Sequence, residues 1–209
     1  MSEARFRRPA RLDPRDAEDL VGASDPALRG EVAHTTARAV VNRARASEDP
    51  ALVERLVRLV ESEGLDAVAA LWADAAPVTL PGALWRLYVL REWVRRDPQT
   101  VGLRYRLGVG AAPVQEAVAG VPQPPEPADL RALADAVLSG VFAGDLAIAL
   151  ERAAAFCRIL ATGAAFDADA REVADPAGAD RMTRGAAGML RTAEELEQAA
   201  GFWRAGTLD

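Results

Sequence analysis

Apolar residues recur along this chain at intervals of three and four and almost nowhere in strict alternation, the spacing of helices rather than strands. From Pro26 to Ala46 the spacing puts Leu28, Val32, Thr36, Ala39 and Val40 on one face. From Pro50 to Glu63 it gathers Leu52, Val53, Leu56, Leu59 and Val60, with Gly64 where a C-cap belongs. Leu65–Trp72 reads as a shorter helix. Ala83–Arg96 is the most apolar helix of the first half, after a turn at Pro81 and Gly82, and shorter helices follow over Pro98–Leu107 and Pro113–Ala119. Further on, Ala128–Phe142 and Asp145–Ala161 predict a helical hairpin around Gly144, and Ala164–Asp175 leads into a last helix over Ala179–Arg204. Gly185 and Gly188 predict a bend in that helix or the close approach of a neighbour.

Asp-Pro dipeptides punctuate the pattern at Asp13-Pro14, Asp25-Pro26, Asp49-Pro50, Asp97-Pro98 and Asp175-Pro176. An aspartate accepts the orphan N–H groups of a first turn, and a proline after it loses no hydrogen bond there. Each pair therefore reads as a helix start and as the end of the helix before it. Val121–Pro127, with four prolines, is not helical and forms the internal linker. The fold class is all-α: a compact bundle of about eight to ten helices. Residues 1–12 read as a flexible basic arm and 13–205 as one domain, whose lobes 13–120 and 128–205 meet at the linker 121–127.

Composition sharpens this picture mostly by removal. All 25 basic residues are arginine, with one histidine and one cysteine. Lysine Schiff bases, the Walker P-loop and Cys/His zinc sites lose their central residue. Alanine fills about a fifth of the chain and favours helix; with arginine in excess it also reflects GC-rich coding. A net charge of −6 argues against indiscriminate binding to polyanions. A lone Cys157 forms no internal disulfide, and Met1–Arg11 has no apolar segment of the secretory kind, so the expected location is cytoplasmic. No membrane association is expected, because Arg86 interrupts Leu84–Leu90 and Glu151 and Arg152 interrupt Leu146–Leu160.

Few residues offer chemistry. Glu31 and His34, three apart on one helical face, resemble half of a carboxylate-bridged metal site, but the chain has no second histidine. They are weak metal candidates, even with Glu61 or Glu63 to complete them, and no metal or cofactor is expected. Thr35 and Thr36 neighbour His34 but point about 100° apart around the helix, which rules out a nucleophile–base pair. Cys157 lies in an apolar run where a thiol packs, and Arg158 would activate it only in a cleft. No catalytic residue is assigned.

The strongest binding signal is a run of arginines interleaved with aromatics: Trp85, Arg86, Arg91, Trp93, Arg95, Arg96, Arg104, Tyr105 and Arg106. Guanidiniums pair with carboxylates and phosphates, and aromatics stack. Glu92 and Asp97 within the run dilute its charge, and arginines late in a helix also complement its dipole. Trp85, Arg91, Trp93, Arg95, Arg96, Arg104 and Arg106 form the candidate interaction surface. Arg5, Arg7, Arg8 and Arg11 would be an arm touching phosphate. A helical protein of small residues leaves few large pockets, and a groove beside the proline linker is the place for one.

Two stretches, LPGALWRLYVLREWVRRDP from Leu80 to Pro98 and GVFAGDLAIALERAAAFCRIL from Gly140 to Leu160, resemble a family of uncharacterised actinobacterial proteins of about this length. Some of these carry the label "RNA polymerase beta subunit". The resemblance covers most of the chain and implies no catalytic motif. A polymerase beta subunit is several times longer and of mixed fold, so the label is not carried onto these residues.

The reading that results is a non-enzymatic, cytoplasmic helical interaction or adaptor protein that meets a protein partner or a second copy of itself through the arginine–tryptophan surface. The alternative is a nucleic-acid accessory factor for DNA transactions or transcription, using the same arginines. A metal- or small-molecule-dependent helical enzyme around Glu31 and His34 ranks last.

Overall fold

The structure is a computed structural model that describes residues 26–42, 64–112, 125–139 and 144–209. Among them are seven helices and no strand: α1 (Pro26–Asn42), α2 (Leu65–Ala70), α3 (Leu80–Arg96), α4 (Pro98–Gly108), α5 (Pro127–Leu138), α6 (Leu146–Arg171) and α7 (Pro176–Arg204). The helices expected over Pro50–Glu63 and Pro113–Ala119, the basic arm and most of the linker lie outside the described residues.

Capping chemistry sets several boundaries. The Asp97 carboxylate accepts the Thr100 N–H at 3.1 Å and starts α4, and Asp175 accepts from Gly178 at 2.9 Å and starts α7. The last helix therefore begins at Pro176, not Ala179. Thr79 caps α3 through the Gly82 N–H at 3.2 Å, so Pro81 sits in the first helical turn and not in a turn before the helix. Gly64, expected as a C-cap, has φ 85° and ψ 168° and serves as the N-cap of α2. At the far end of α7, Gly206 at φ 70° donates to the Trp203 carbonyl and Thr207 to that of Phe202, the paired bonds of a Schellman stop.

The expected break before Ala164 is absent: α6 runs unbroken to Arg171. It pairs along its length with α7. Arg158 grips Glu197 at 2.9 and 2.7 Å, and Arg204 holds Glu151, so the two helices run in opposite directions. The expected partner of α6 was α5, which lies against it but packs more extensively on α3. Between α6 and α7 the side chains are small, with Ala153, Ala154, Ala164, Ala193 and Ala200 buried, so the axes approach closely.

The closest approach lies on the other face of α6. A Cβ on Gly163 would overlap the Arg104 carbonyl, and one on Gly108 would overlap that of Ile159. Backbone meets backbone where α4 crosses α6. Gly185 and Gly188 do no such work: no atom lies within 4 Å of a Cβ added at Gly185, and only the Arg191 guanidinium, at 3.8 Å, at Gly188.

One hydrophobic core draws on all seven helices, from Ala37 and Val68 through Leu84, Val101 and Leu130 to Phe156 and Leu196, and so joins residues on both sides of the linker. Fully buried Trp72 anchors α2, its Nε1 donating to Thr36 Oγ1 on α1 at 3.1 Å. No helix among the described residues is long and apolar enough to cross a membrane.

Candidate functional site

Helix α3 carries two different surfaces, because its polar and apolar positions interleave at helical spacing. Leu84 and Leu87 are fully buried. Trp85, Val89 and Trp93, four apart, line a second stripe that no other helix covers fully: the tryptophans are half-buried and Val89 is 43% exposed. Opposite this stripe stands α7 with Gly185, Gly188, Met189 and Thr192, and buried Cys157 of α6 lies in the floor. The space between is a groove of about 480 Å³. Its width follows from the glycines, above which there is room where a larger residue would fill the gap.

The walls are tied at one end. Arg86 sends Nε and Nη2 to Glu195 Oε2 at 2.8 and 2.6 Å, and its Nη1 donates to the Gly82 carbonyl at 3.0 Å. The start of α3 also meets the end of the chain, where the Leu80 N–H donates to the Asp209 carbonyl at 2.7 Å. Helices α3 and α7 therefore pass in opposite senses, with the Trp93 end of one beside the Gly185–Gly188 stretch of the other.

The expected arginine surface does not stay together. Arg91, Arg95 and Arg96 all turn onto Glu92, a carboxylate only 6% exposed. Arg95 Nη2 and Arg96 Nε lie 2.6 and 2.9 Å from its Oε2, and Arg91 Nη1 lies 2.5 Å from its Oε1. Arg91 also holds Asp135 of α5, which Arg131 shares at 3.8 Å. Hydrogen bonds from Arg95, then Arg96, outweigh the desolvation of Glu92 and hold its carboxyl down to about 2. This cluster locks α3 to α5. It is an internal structure before it is a docking surface.

Arg104 stands apart from this cluster. Its guanidinium lies over the Trp93 ring, 5.8 Å from the centroid, and its Nε is buried 4.0 Å from Asp167 without a hydrogen bond. It backs Trp93 from beneath α4. Arg106 is exposed. Trp85 stacks on Tyr88 at 5.4 Å, and Tyr88 donates to Asp66 at 2.9 Å. Burial first, then that hydrogen bond, pushes the Tyr88 hydroxyl pKa up.

No family model, curated protein or solved structure matches this chain.

Of the remaining candidates, Glu31 and His34 lie apart from the groove and Cys157 forms part of its floor. His34 Nδ1 is 3.8 Å from Asp209 Oδ1, and Glu31 is exposed. Among the described residues no three histidine, cysteine or acidic side chains converge as a metal would require. Burial pushes the Cys157 thiol up to about 12, only partly opposed by Arg158, so it is a packing residue and not a nucleophile. A larger groove, about 650 Å³, lies between α1 and α2 beside Leu28, Val32, His34 and Leu71; the chain that joins its walls, 43–63, lies outside the described residues.

Of the expected interaction surface, Trp85 and Trp93 line the α3–α7 groove, and Arg91, Arg95, Arg96, Arg104 and Arg106 do not. The opposite wall escaped it, because Gly185 and Gly188 read equally well as a bend or a contact. Val89 between the tryptophans was the available signal for an open stripe, since a buried helix face at that spacing needs a partner helix opposite it.

Proposed function

We propose that this protein is a non-enzymatic helical interaction protein that docks a protein partner in the groove between α3 and α7. The observation that carries this reading is the stripe Trp85–Val89–Trp93 facing a wall opened by Gly185 and Gly188. Half-buried tryptophans beside an apolar floor are typical anchor points of interfaces. An accessible apolar stripe of this kind is the sort of patch that marks a binding site.

The pairing of Arg91, Arg95 and Arg96 with Glu92 favours a protein partner over nucleic acid, since these guanidiniums already hold a carboxylate. Co-purification of the tagged protein from a native lysate, with and without nuclease, tests the reading. A stoichiometric protein that survives nuclease and is lost with Val89→Arg is the expected result. A set of partners that collapses with nuclease transfers the groove to nucleic acid. Partners unaffected by Val89→Arg remove the groove from the account.

A further inference from the structure

The glycine wall of the groove is flanked by cations that no carboxylate among the described residues pairs with. Helix α7 carries four arginines. Arg184 is held by Asp180 and Arg204 by Glu151. Arg181 and Arg191, both exposed, have no carboxylate within ion-pair distance among the described residues. These two bracket Gly185 and Gly188. Ten residues of helix separate them, about 15 Å along the axis at 1.5 Å per residue. Arg181 falls on the helical face of Gly185 and Gly188, one turn earlier, and the Arg191 guanidinium lies nearest the open space above Gly188.

The opposing acids are few. Asp180 is taken by Arg184, and Glu195 by Arg86. Asp167 lies beside Arg104 and Arg171. Asp97 caps α4. Of the acidic residues on α7, exposed Glu194, three residues beyond Arg191, is the one without an ion pair among the described residues, while exposed Asp74, Asp169 and Glu172 stand on neighbouring segments. The groove thus has an apolar middle and cationic ends within a chain of net charge −6. A partner must supply the reverse: an apolar side chain for the middle and carboxylates toward the ends.

We infer that the occupant is an acidic amphipathic helix of a partner protein, with a bulky apolar residue seated between Trp85 and Trp93 and Asp or Glu about one and a half turns to either side. This rests on the groove reading above and adds the chemistry of the partner. Apolar anchors of this kind in helix-in-groove recognition are spaced by three and four residues. The carboxylates would meet Arg181 at one end and Arg191 at the other. Association would be faster at low salt, since exposed ion pairs are screened within about 10 Å at 0.1 M.

The test is a display library of amphipathic helical peptides with the apolar face fixed and the flanking positions free to be acidic, neutral or basic. It is selected on the full chain and counter-selected on Val89→Arg. Enrichment of acidic flanks is expected, with binding of the enriched peptides weakened about tenfold by Arg181→Glu together with Arg191→Glu, two exposed positions whose reversal spares the core. Enriched peptides that depend on Val89 but carry neutral or basic flanks overturn the acidic assignment and leave the groove standing. Absence of any Val89-dependent enrichment overturns both. A short single-stranded oligonucleotide that binds in a Val89-dependent way while the peptides do not overturns the assignment in favour of nucleic acid.

Discussion

Arg86 and Glu195 join the two walls of the groove, with Nη2 2.6 Å from Oε2 and both side chains largely out of solvent. The pair sets the distance between α3 and α7 at the end where the helices would otherwise be free to close or part. Removing one partner strands the other charge in a partly buried place. Arg86→Ala is expected to cost about 1–3 kcal/mol in urea unfolding and to weaken partner binding. Arg86→Ala with Glu195→Ala should recover much of the stability and little of the binding, since the spacing of the walls stays lost.

The glycines separate into two kinds with opposite responses. Gly163→Ala drives a Cβ into the Arg104 carbonyl across the α4–α6 crossing. Helix backbone has nowhere to move there, and the loss should be roughly 3 kcal/mol or more, read as a fall in the urea midpoint. Gly185→Ala meets nothing and gains helix propensity of about 0.5–1 kcal/mol. The same methyl enters the groove, so Gly185→Ala should yield a more stable protein that binds its partner less well.

Acid stability should follow Glu92. Its carboxyl is held at about 2 against an ordinary 4.5, chiefly by hydrogen bonds from Arg95 and Arg96. A depressed carboxyl stabilises fully above its ordinary value, and that contribution drains away as pH falls from 4.5 toward 2. Glu92→Gln is expected to flatten this part of the stability profile while lowering stability at neutral pH. An unchanged slope between pH 4.5 and 2 would show that Glu92 is not the group responsible.

Cys157 should be silent in the native state. Burial holds its thiol near 12 and the side chain is fully enclosed. An aromatic disulfide reagent at pH 8 is expected to modify it only at the rate of unfolding, and faster in Gly163→Ala than in the parent. Rapid modification of the native protein would mean that the groove floor opens.

Much of the helical content was legible in the sequence because its signals are local. Asp97-Pro98 and Asp175-Pro176 start helices through bonds to residues three positions on, as their chemistry requires. The misread boundaries share a cause. Pro81 and Gly82 look like a turn until Thr79 is seen to cap them, and the break expected between Ala161 and Ala164 gives way to a continuous helix whose Gly163 meets α4. A glycine in a helix reports either a break or a close neighbour, and only tertiary structure decides. The arginine run is plain in the sequence, yet the role of Glu92 depends on which face it turns inward. The acidic residue followed at three and four by Arg95 and Arg96 was the legible sign of that cluster. The groove was not, because its second wall lies on α7, far along the chain.

The most direct measurement places a photo-crosslinking benzophenone at Val89 in the intact protein and irradiates in cells, with Val173, at the exposed turn between α6 and α7, as the control position. A discrete, nuclease-resistant protein adduct from Val89 and none from Val173 is the expected result. No adduct at Val89, or the same adducts from both positions, would contradict a docking groove between α3 and α7.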